Sequence, residues 1–321
     1  MNKQNQLKHL QNISGEVCVV GSINADYTVA CDRIPHPGET VQGGPLNIFP
    51  GGKSANQAVS AALLGAHVTL LGAVGSDASA NFLLKSLQTA GVCTQAIKHV
   101  EGSSGSALIT VDAKGENTIV YSPGANASVT PEYIKSQAAL ITSASVLGLC
   151  LESPLETVIE AARIAHNAGL KVLLNNSPFM QTLPEDLIKY TDILLVNRHE
   201  LADMLHMPEA AYEIGSAISW QKIAKAVQNL GFNQAIVTLG SAGSVAINGS
   251  EIHHINAQSV PCTDTTGCGD AFMGAVLASL ASGFSLADAC ISASYVAAYA
   301  ARGRGAQSSY GSSEEIITYF S

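Results

Sequence analysis

The chain has 321 residues and a formal net charge of −9, from 16 Lys plus Arg and 25 Asp plus Glu. This length suits one large α/β domain with a small insertion. The acidic balance, with no cluster of Lys and Arg, argues against nucleic acid and anionic membranes as partners.

The sequence carries no recognisable signal for export or membrane insertion. Residues 1–14 are polar, and no later apolar run approaches the length of a membrane span. We therefore expect a cytoplasmic protein with a flexible N-terminus at residues 1–14. The seven cysteines form no CxxC pair, which favours reduced thiols over disulfides or a zinc site.

Strand and helix patterns alternate along most of the chain. Short apolar runs predict strands at 17–20, 67–71, 146–151, 172–174, 193–196 and 235–239. Apolar residues at helical spacing predict helices at 53–64, 81–90, 155–168 and 223–230. This order predicts a doubly wound α/β fold, with a mostly parallel sheet and helices on both faces.

Two segments interrupt this alternation. Residues 27–49 are rich in Pro and Gly, and residues 105–122 show a hairpin pattern around Lys114-Gly115-Glu116. They predict a small inserted antiparallel β lid over the active edge of the core. The core itself would comprise residues 15–26, 50–104 and 123–321. The lid is too apolar to lie in water on both faces, so we expect it to form a homodimer contact. The apolar residues behind this expectation are Leu108, Val111, Ile119 and Tyr121.

Residues 264–270 read Asp-Thr-Thr-Gly-Cys-Gly-Asp and lead directly into an apolar helical pattern. Glycines just before a helix let several backbone N–H groups converge where the helix dipole is positive, which creates an anion hole. An aspartate there competes with the anion unless it takes a proton beside a phosphoryl group. Asp270 is therefore a candidate general base. The alternative interpretation is an aspartate that caps the helix after a Gly-rich turn.

Residues 51–57, Gly-Gly-Lys-Ser-Ala-Asn-Gln, open a predicted helix. They do not form a phosphate-binding P-loop, because that pattern requires glycine at position 47, which is Asn47. A glycine pair at a helix N-terminus can instead approach a polyhydroxylated ligand closely. Lys53 and Asn56 would supply hydrogen-bond donors to that ligand.

Asn24 and Asp26 follow the first predicted strand, where an open parallel sheet binds its ligands. They alternate along an extended stretch and so share one face. An amide and a carboxylate on one face suit two neighbouring sugar hydroxyls. An Asx-rich turn after a strand is the alternative interpretation.

Two further segments are compatible with a nucleotide. Asn197 and Glu200 are three residues apart at a predicted helix start, which suits either hydrated Mg²⁺ with phosphates or a capping box. The Gly-rich segment 238–244 resembles part of a dinucleotide motif, but a strand pattern follows it instead of a helix. We therefore interpret residues 238–244 as a glycine-rich turn between two strands, which could lie beside a nucleotide.

Taken in this order, these segments resemble the ribokinase/phosphofructokinase-B family of carbohydrate kinases, from about residue 17 to residue 309. The most specific elements are residues 51–57 and 264–270. The resemblance implies a ribokinase-like fold and ATP-dependent phosphorylation of a small sugar, with ATP, Mg²⁺ and K⁺ as cofactors. The polar groups around Asn24 favour D-ribose, which would become ribose 5-phosphate. The alternatives are a sister kinase for 2-deoxyribose, fructose or a nucleoside, and a non-catalytic sugar sensor.

The resemblance also implies roles for individual residues. Catalysis would use Asp270 as general base and the backbone of Gly267, Cys268 and Gly269 as anion hole. The sugar would contact Asn24, Asp26, Gly52, Lys53, Asn56, Glu152 and Asp270. Mg-ATP would be supported by Asn197 and Glu200, and the nucleotide would lie along Thr238, Gly240, Ser241, Gly243, Gly269 and Ser294. A monovalent cation would be held by Asp264 and by Thr266, Ala300, Gly303, Gly305 and Ser309.

The chain departs from the family pattern at three places. Ser54 replaces a glycine, Cys268 replaces an alanine, and residues 176–179 read Asn-Ser-Pro-Phe where the family has Asn-Pro-Ala-Pro. None of these changes removes a charged or catalytic group. The Ser54 hydroxyl and the Phe179 ring are expected to alter walls near the sugar.

Overall fold

The computed structural model describes residues 3–207 and 219–321; residues 1, 2 and 208–218, parts of the predicted N-terminus and core, lie outside the described residues. The strands of the described part are β1 (Glu16–Val20), β2 (Asn24–Ala30), β3 (Asn47–Gly51), β4 (His67–Leu71), β5 (Ala73–Val74), β6 (Lys98–His99), β7 (Gly105–Val111), β8 (Asn117–Ser122), β9 (Val146–Leu149), β10 (Lys171–Asn175), β11 (Ile193–Asn197), β12 (Gln234–Thr238), β13 (Ser244–Asn248) and β14 (Glu251–Ile255). The helices are α1 (Lys3–Gln11), α2 (Lys53–Leu63), α3 (Ala78–Thr89), α4 (Pro131–Ser136), α5 (Ala138–Thr142), α6 (Leu155–Asn167), α7 (Glu185–Lys189), α8 (Arg198–Met204), α9 (Trp220–Asn229), α10 (Cys268–Ala281), α11 (Leu286–Ala300) and α12 (Ser313–Phe320). Within the described ranges, none of these helices has the length and apolar character needed to cross a membrane.

The centre of the fold is an eight-stranded sheet with the order β14-β13-β12-β11-β10-β9-β1-β4. The pairs from β4 to β12 are parallel, and β13 and β14 extend the sheet in antiparallel pairs. Side chains of β1 alternate between two apolar cores, with Val17 and Val19 on one face and Cys18 and Val20 on the other. Helices α2, α10 and α11 cover the first face, and α6, α8 and α9 cover the second. The predicted doubly wound architecture is confirmed.

A separate four-stranded sheet, the lid sheet, has the order β3-β2-β7-β8. The predicted hairpin is confirmed, because β7 and β8 are antiparallel and their turn is closed by Asp112 Oδ1, which accepts from the N–H of Lys114 and Glu116. The β2–β3 pair is also antiparallel, but the central β2–β7 pair is parallel. The lid sheet is therefore mixed, since the chain between β2 and β7 passes through the core before it returns.

The boundary between the lid sheet and the core differs slightly from the predicted one. Strand β2 begins at Asn24 and strand β3 ends at Gly51. Asn24 and Asp26, predicted as core residues, thus lie on the first lid strand, at its junction with the core.

The N-terminal segment, expected to be flexible, instead contains helix α1. Leu7 and Leu10 are three residues apart on this helix and are buried, as is Ile13 after it. The helix contacts α11, where Tyr295 Oη donates a hydrogen bond to Gln6 Oε1 at 2.9 Å. One apolar stripe is thus enough to fix this polar segment to the core.

Candidate active site

Asp270 is the third residue of α10, and its side chain is only 8% exposed. The residue before the helix, Gly267, has φ of 74°, in the left-handed region. An added Cβ there would lie 2.5 Å from Ala306 Cβ and 2.7 Å from Tyr310 Oη, so only glycine fits. The N–H groups of the first helical turn have no acceptor within the helix, although that of Cys268 donates to the Thr265 carbonyl oxygen at 3.2 Å. That the N–H groups of Gly267, Cys268 and Gly269 form an anion hole stays a prediction.

Two amides from α2 donate to the Asp270 carboxylate. Asn56 Nδ2 lies 3.0 Å from Oδ2, and Gln57 Nε2 lies 3.1 Å from Oδ1. The structure therefore joins the two most specific sequence segments in one site. Both donors are neutral and each carboxylate oxygen accepts one of them, which leaves lone pairs for a hydroxyl proton. The sequence prediction missed Gln57, whose one signal was its position directly after Asn56.

The glycine pair before α2 allows strand β2 to approach the helix start. Gly52 has φ of 90°, and an added Cβ would lie 2.7 Å from the Ser22 carbonyl oxygen. At Gly51, an added Cβ would clash with the Asp26 carboxylate. Both glycines are thus required for the close packing of this part of the chain, whether or not a ligand is bound. This packing brings Lys53 and Asp26 to the same edge of the sheet.

The carboxylates of Asp26, Glu152 and Asp270 interact electrostatically with one ammonium group, that of Lys53. We call these four residues the acidic cluster. Burial, together with the charges of Glu152 and Asp270, raises the pKa of Asp26 to about 7, while Lys53 opposes this shift. Burial by itself lowers the pKa of Lys53, yet Asp270 and Glu152 hold it above its ordinary value. Charged groups whose pKa values are shifted by burial and by one another are a common mark of a functional site.

Glu152 lies at the junction of the cluster with α2. Its Oε2 accepts from Ser22 Oγ at 2.5 Å and from the backbone N–H of Lys53 at 3.0 Å. This second contact places the Glu152 carboxylate at the N-terminus of α2, beside the residues predicted for the sugar. The carbonyl oxygen of Glu152 accepts from Tyr121 Oη of the lid sheet at 3.1 Å.

The amide of Asn24 is held in one orientation by Asn126. Asn126 Nδ2 donates to Asn24 Oδ1 at 2.7 Å, and Asn126 Oδ1 accepts from the N–H of Ile23 at 3.0 Å. Asn24 therefore has its NH₂ group left to donate to a ligand. No spacing or motif marked Asn126 in the sequence, because it lies in the irregular turn Gly124–Ser128.

Asn197 and Glu200 form the capping box that the sequence left as an alternative. Asn197 Oδ1 accepts from the N–H of Glu200 at 2.9 Å, and Glu200 Oε2 accepts from the N–H of Asn197 at 2.7 Å. Burial raises the pKa of Glu200, while the Asn197 N–H and the charge of Lys53 lower it in part. Glu200 and Lys53 thus interact electrostatically. Contact of this pair with Mg-ATP stays a prediction.

The glycine-rich segment after β12 forms a tight turn into β13. Residues Gly240–Ala242 make a 3-10 turn, and Gly243 has φ of 97°. Strand β13 then runs antiparallel to β12, which confirms that a strand follows this turn. Thr238 ends β12, and the exposed Gly240 and Ser241 form the outer side of the turn. Ser294 of α11 is buried, donates to the Ile291 carbonyl oxygen at 2.7 Å and accepts from Gln258 Nε2 at 3.5 Å.

The residues predicted for a cation are brought together beside the N-terminus of α10. Asp264 Oδ1 accepts from the Thr266 N–H at 2.9 Å, and Oδ2 accepts from the Gly305 N–H at 2.9 Å. Burial raises the pKa of Asp264, but these hydrogen bonds hold it below the ordinary value, so the group is anionic at neutral pH. Ala300 O accepts from the Gly303 N–H at 3.0 Å, and an added Cβ on Gly303 would lie 2.5 Å from Ser309 Cβ.

The donor chemistry of this cluster fits a monovalent cation. Within residues 3–207 and 219–321, no three His, Cys, Asp or Glu side chains converge as a metal site would require. Asp264 would therefore supply the charge, and backbone carbonyl and hydroxyl oxygens would supply the other contacts. Oxygen donors of this kind suit hard cations.

Of the departures from the family pattern, Cys268 opens α10 two residues before Asp270, and Ser54 follows Lys53 in the first turn of α2. Ser54 is fully buried, its hydroxyl donates to the Val20 carbonyl oxygen at 3.2 Å, and it lies 3.1 Å from Cys150 Sγ. Its hydroxyl is thus not exposed to a ligand, and an effect of Ser54 on a wall near the sugar stays a prediction. Phe179 follows the cis Ser177–Pro178 peptide and is 38% exposed.

Comparisons with known proteins agree with this geometry. Residues 14–312 match the model of the pfkB family of carbohydrate kinases. The ribokinase of Schizosaccharomyces pombe is 36% identical over 310 residues, which cover 94% of this chain and 96% of that protein. The deoxyribokinase of Salmonella typhi is 33% identical over 307 residues, which cover 95% and 99% of the two chains. The structure of Arabidopsis thaliana ribokinase complexed with ribose and ATP matches with a TM-score of 0.85 at 29% identity, covering 96% of this chain and 99% of that one.

Proposed function

Because the chain belongs to the pfkB family of carbohydrate kinases, we propose that it transfers the γ-phosphoryl group of ATP to the 5-hydroxyl of D-ribose. The observation that carries this proposal is the contact between Asp270, at the N-terminus of α10, and the two amides of α2. The contact supports the proposal, because it holds the Asp270 carboxylate at a helix N-terminus beside the residues predicted for the sugar. ADP release that depends on added D-ribose tests the proposal.

In the proposed reaction, Asp270 accepts the proton of the sugar hydroxyl as its oxygen attacks the γ-phosphorus. The bond to the ADP oxygen breaks, and the developing charge lies against the N–H groups of Gly267, Cys268 and Gly269. These donors and the helix dipole stabilise the charge in the transition state more than in the ground state. When bound, Mg²⁺ neutralises charge on the phosphates, and Asn197 and Glu200 are the residues that would hold it with the nucleotide.

The sugar pocket supports ribose over sugars with fewer hydroxyls. The Asn24 amide offers its NH₂ donors and one remaining lone pair of its oxygen, because Asn126 occupies the other lone pair. Asp26 offers acceptors on the same face of β2, and Lys53 offers donors. A sugar that lacks a hydroxyl leaves one of these groups unpaired, at a cost of about 1–3 kcal/mol. The similarity to a deoxyribokinase makes 2-deoxyribose the most informative competitor.

We also propose that K⁺ binds at Asp264 and activates the enzyme. K⁺ is expected to raise kcat by about fivefold or more, because the site lies beside the N-terminus of α10. Asp264→Ala is expected to lose this activation, and also the rise in melting temperature that K⁺ gives the wild type. Turnover and thermal melts in Na⁺, K⁺ and cation-depleted buffer measure both effects.

The exposed carboxylate of Asp186 in α7 provides the matched control for that experiment. Asp186→Ala removes the same charge far from the cluster and should keep the response to K⁺. Equal rates of the wild type in all three buffers would rule out the cation site.

The lid sheet has two different faces. One row across its strands, formed by Phe49, Asp26, Ala107 and Tyr121, turns toward the acidic cluster, because Tyr121 reaches Glu152. The next row along the strands has its side chains on the other face of the sheet. Its apolar residues Ile48, Leu108 and Val120 are 47%, 59% and 65% exposed. We propose that a second copy of the chain covers this row and forms a homodimer.

Light scattering of the wild type at micromolar concentration is expected to give about twice the chain mass of 33.1 kDa. Leu108→Ser should shift the mass toward the monomer, because it removes the centre of the apolar row. Phe82→Ser provides a control, since Phe82 is 42% exposed but lies on α3, outside this row. A monomeric wild type throughout the micromolar range would contradict the dimer.

A further inference from the structure

Two amides outside the catalytic helix form a hydrogen-bonded chain that ends on Asp270. Gln307 Nε2 donates to Asn56 Oδ1 at 3.0 Å, and Asn56 Nδ2 donates to Asp270 Oδ2 at 3.0 Å. At the other end, Ser86 Oγ donates to Gln307 Oε1 at 2.9 Å. This hydrogen-bonded chain thus begins at Ser86 in α3 and passes through Gln307 in the 3-10 turn Gln307–Ser309. It continues through Asn56 and ends at Asp270 in the first turn of α10.

The direction of these hydrogen bonds is fixed by the charge at one end. An ionised Asp270 can only accept, so Asn56 must turn its Nδ2 toward the carboxylate and its Oδ1 toward Gln307. Gln307 must then donate from Nε2 and present its Oε1 to Ser86. Asn56 is 5% exposed and Gln307 is 8% exposed, so water does not readily replace a lost partner.

We infer that Gln307 is a positioning residue, which holds the Asn56 amide in the orientation that donates to Asp270. Without Gln307, the Asn56 amide is free to flip and to present its oxygen to the carboxylate. The two oxygens would repel, and Asp270 would move away from the acceptor hydroxyl. The inference deepens the proposed kinase activity and rests on it.

Gln307→Leu tests this role, because leucine keeps most of the side-chain volume but neither donates nor accepts. We expect kcat to fall by about tenfold, the effect of losing roughly one neutral hydrogen bond in the transition state. KM for Mg-ATP should stay unchanged.

Two further variants at this turn sharpen the test. Gln307→Glu offers only acceptors at neutral pH, so it should force the Asn56 amide to reverse and should lower kcat more than Gln307→Leu. Ser308→Ala is the matched control from the same turn. The Ser308 hydroxyl donates to the Arg304 carbonyl oxygen at 2.7 Å and has no part in the chain, so this variant should keep the wild-type kcat.

A double-mutant cycle with Asn56→Ala separates positioning from general loss of stability. If Gln307 acts through Asn56, Gln307→Leu should lower kcat no further in the Asn56→Ala background. The same cycle on the free energy of unfolding needs no substrate and should also be non-additive.

Wild-type kcat in Gln307→Leu, or additive effects in both cycles, would overturn the inference. A wild type that phosphorylates no sugar would overturn the proposed function instead. In that case the unfolding cycle alone decides whether Gln307 holds Asn56.

Discussion

Asp270→Asn is expected to lower kcat by about 10²- to 10⁴-fold, the usual contribution of a general base. The substitution keeps the size of the side chain but removes its ability to take the hydroxyl proton. Binding of ribose and of Mg-ATP, measured by calorimetry, should change little, because proton transfer contributes to the transition state and not to the ground state.

The exposed aspartate of α7 gives a control of matched chemistry, since Asp186→Asn makes the same change far from the site and should leave kcat unaltered. A thermal melt of both variants establishes that each is folded. Near-normal turnover of Asp270→Asn would remove Asp270 from the mechanism.

Gly267→Ala is expected to lower kcat/KM by about 10²-fold or more, the cost of losing a donor from an anion hole. The residue has φ of 74°, and the added methyl group would press on Ala306 and on Tyr310 Oη. Tyr310 also donates to the Gly267 carbonyl oxygen at 2.8 Å, so the turn cannot shift without losing this bond. The melting temperature should fall with the activity.

Gly269→Ala is the matched comparison for stability. Its Cβ would meet no atom within 4 Å, and its position in the first turn of α10 has ordinary helical geometry. Its melting temperature should therefore equal or exceed that of the wild type, since alanine favours a helix over glycine. If Gly267→Ala kept both wild-type kcat/KM and wild-type stability, the anion-hole assignment would be wrong.

The order of buried strands and amphipathic helices was sufficient to predict the central sheet, because strands buried on both faces appear as short continuous apolar runs. The meeting of Asn56 with Asp270 was not predictable from spacing, since the two residues are 214 positions apart. Only the resemblance to a family linked their segments. Gln57, Asn126 and Gln307 were missed because a lone amide in a helix or turn has no distinguishing pattern until its partner is known.

Two local features also depended on tertiary contacts. Helix α1 is short and mostly polar, and an isolated helix of 9 residues is marginal in water. It forms because Leu7 and Leu10 pack against the core, which the sequence of the segment does not reveal. The parallel pairing of β2 with β7 likewise follows from how the core positions two strands that are distant in sequence. The hairpin pattern in the sequence indicates only the pairing of β7 with β8.

The most direct test of the proposed activity is kcat/KM of the wild type for D-ribose, 2-deoxyribose, fructose and adenosine, at saturating Mg-ATP and K⁺. Ribose is expected to exceed each competitor by about tenfold or more. For 2-deoxyribose the reason is a lost pairing at Asn24 or Asp26, which costs about 1–3 kcal/mol. Fructose arranges its hydroxyls differently, so it also leaves a partner unpaired, and adenosine fails because the motifs supply polar groups for a small ring but no apolar slot for a base. A value for 2-deoxyribose or fructose equal to that for ribose would contradict the account.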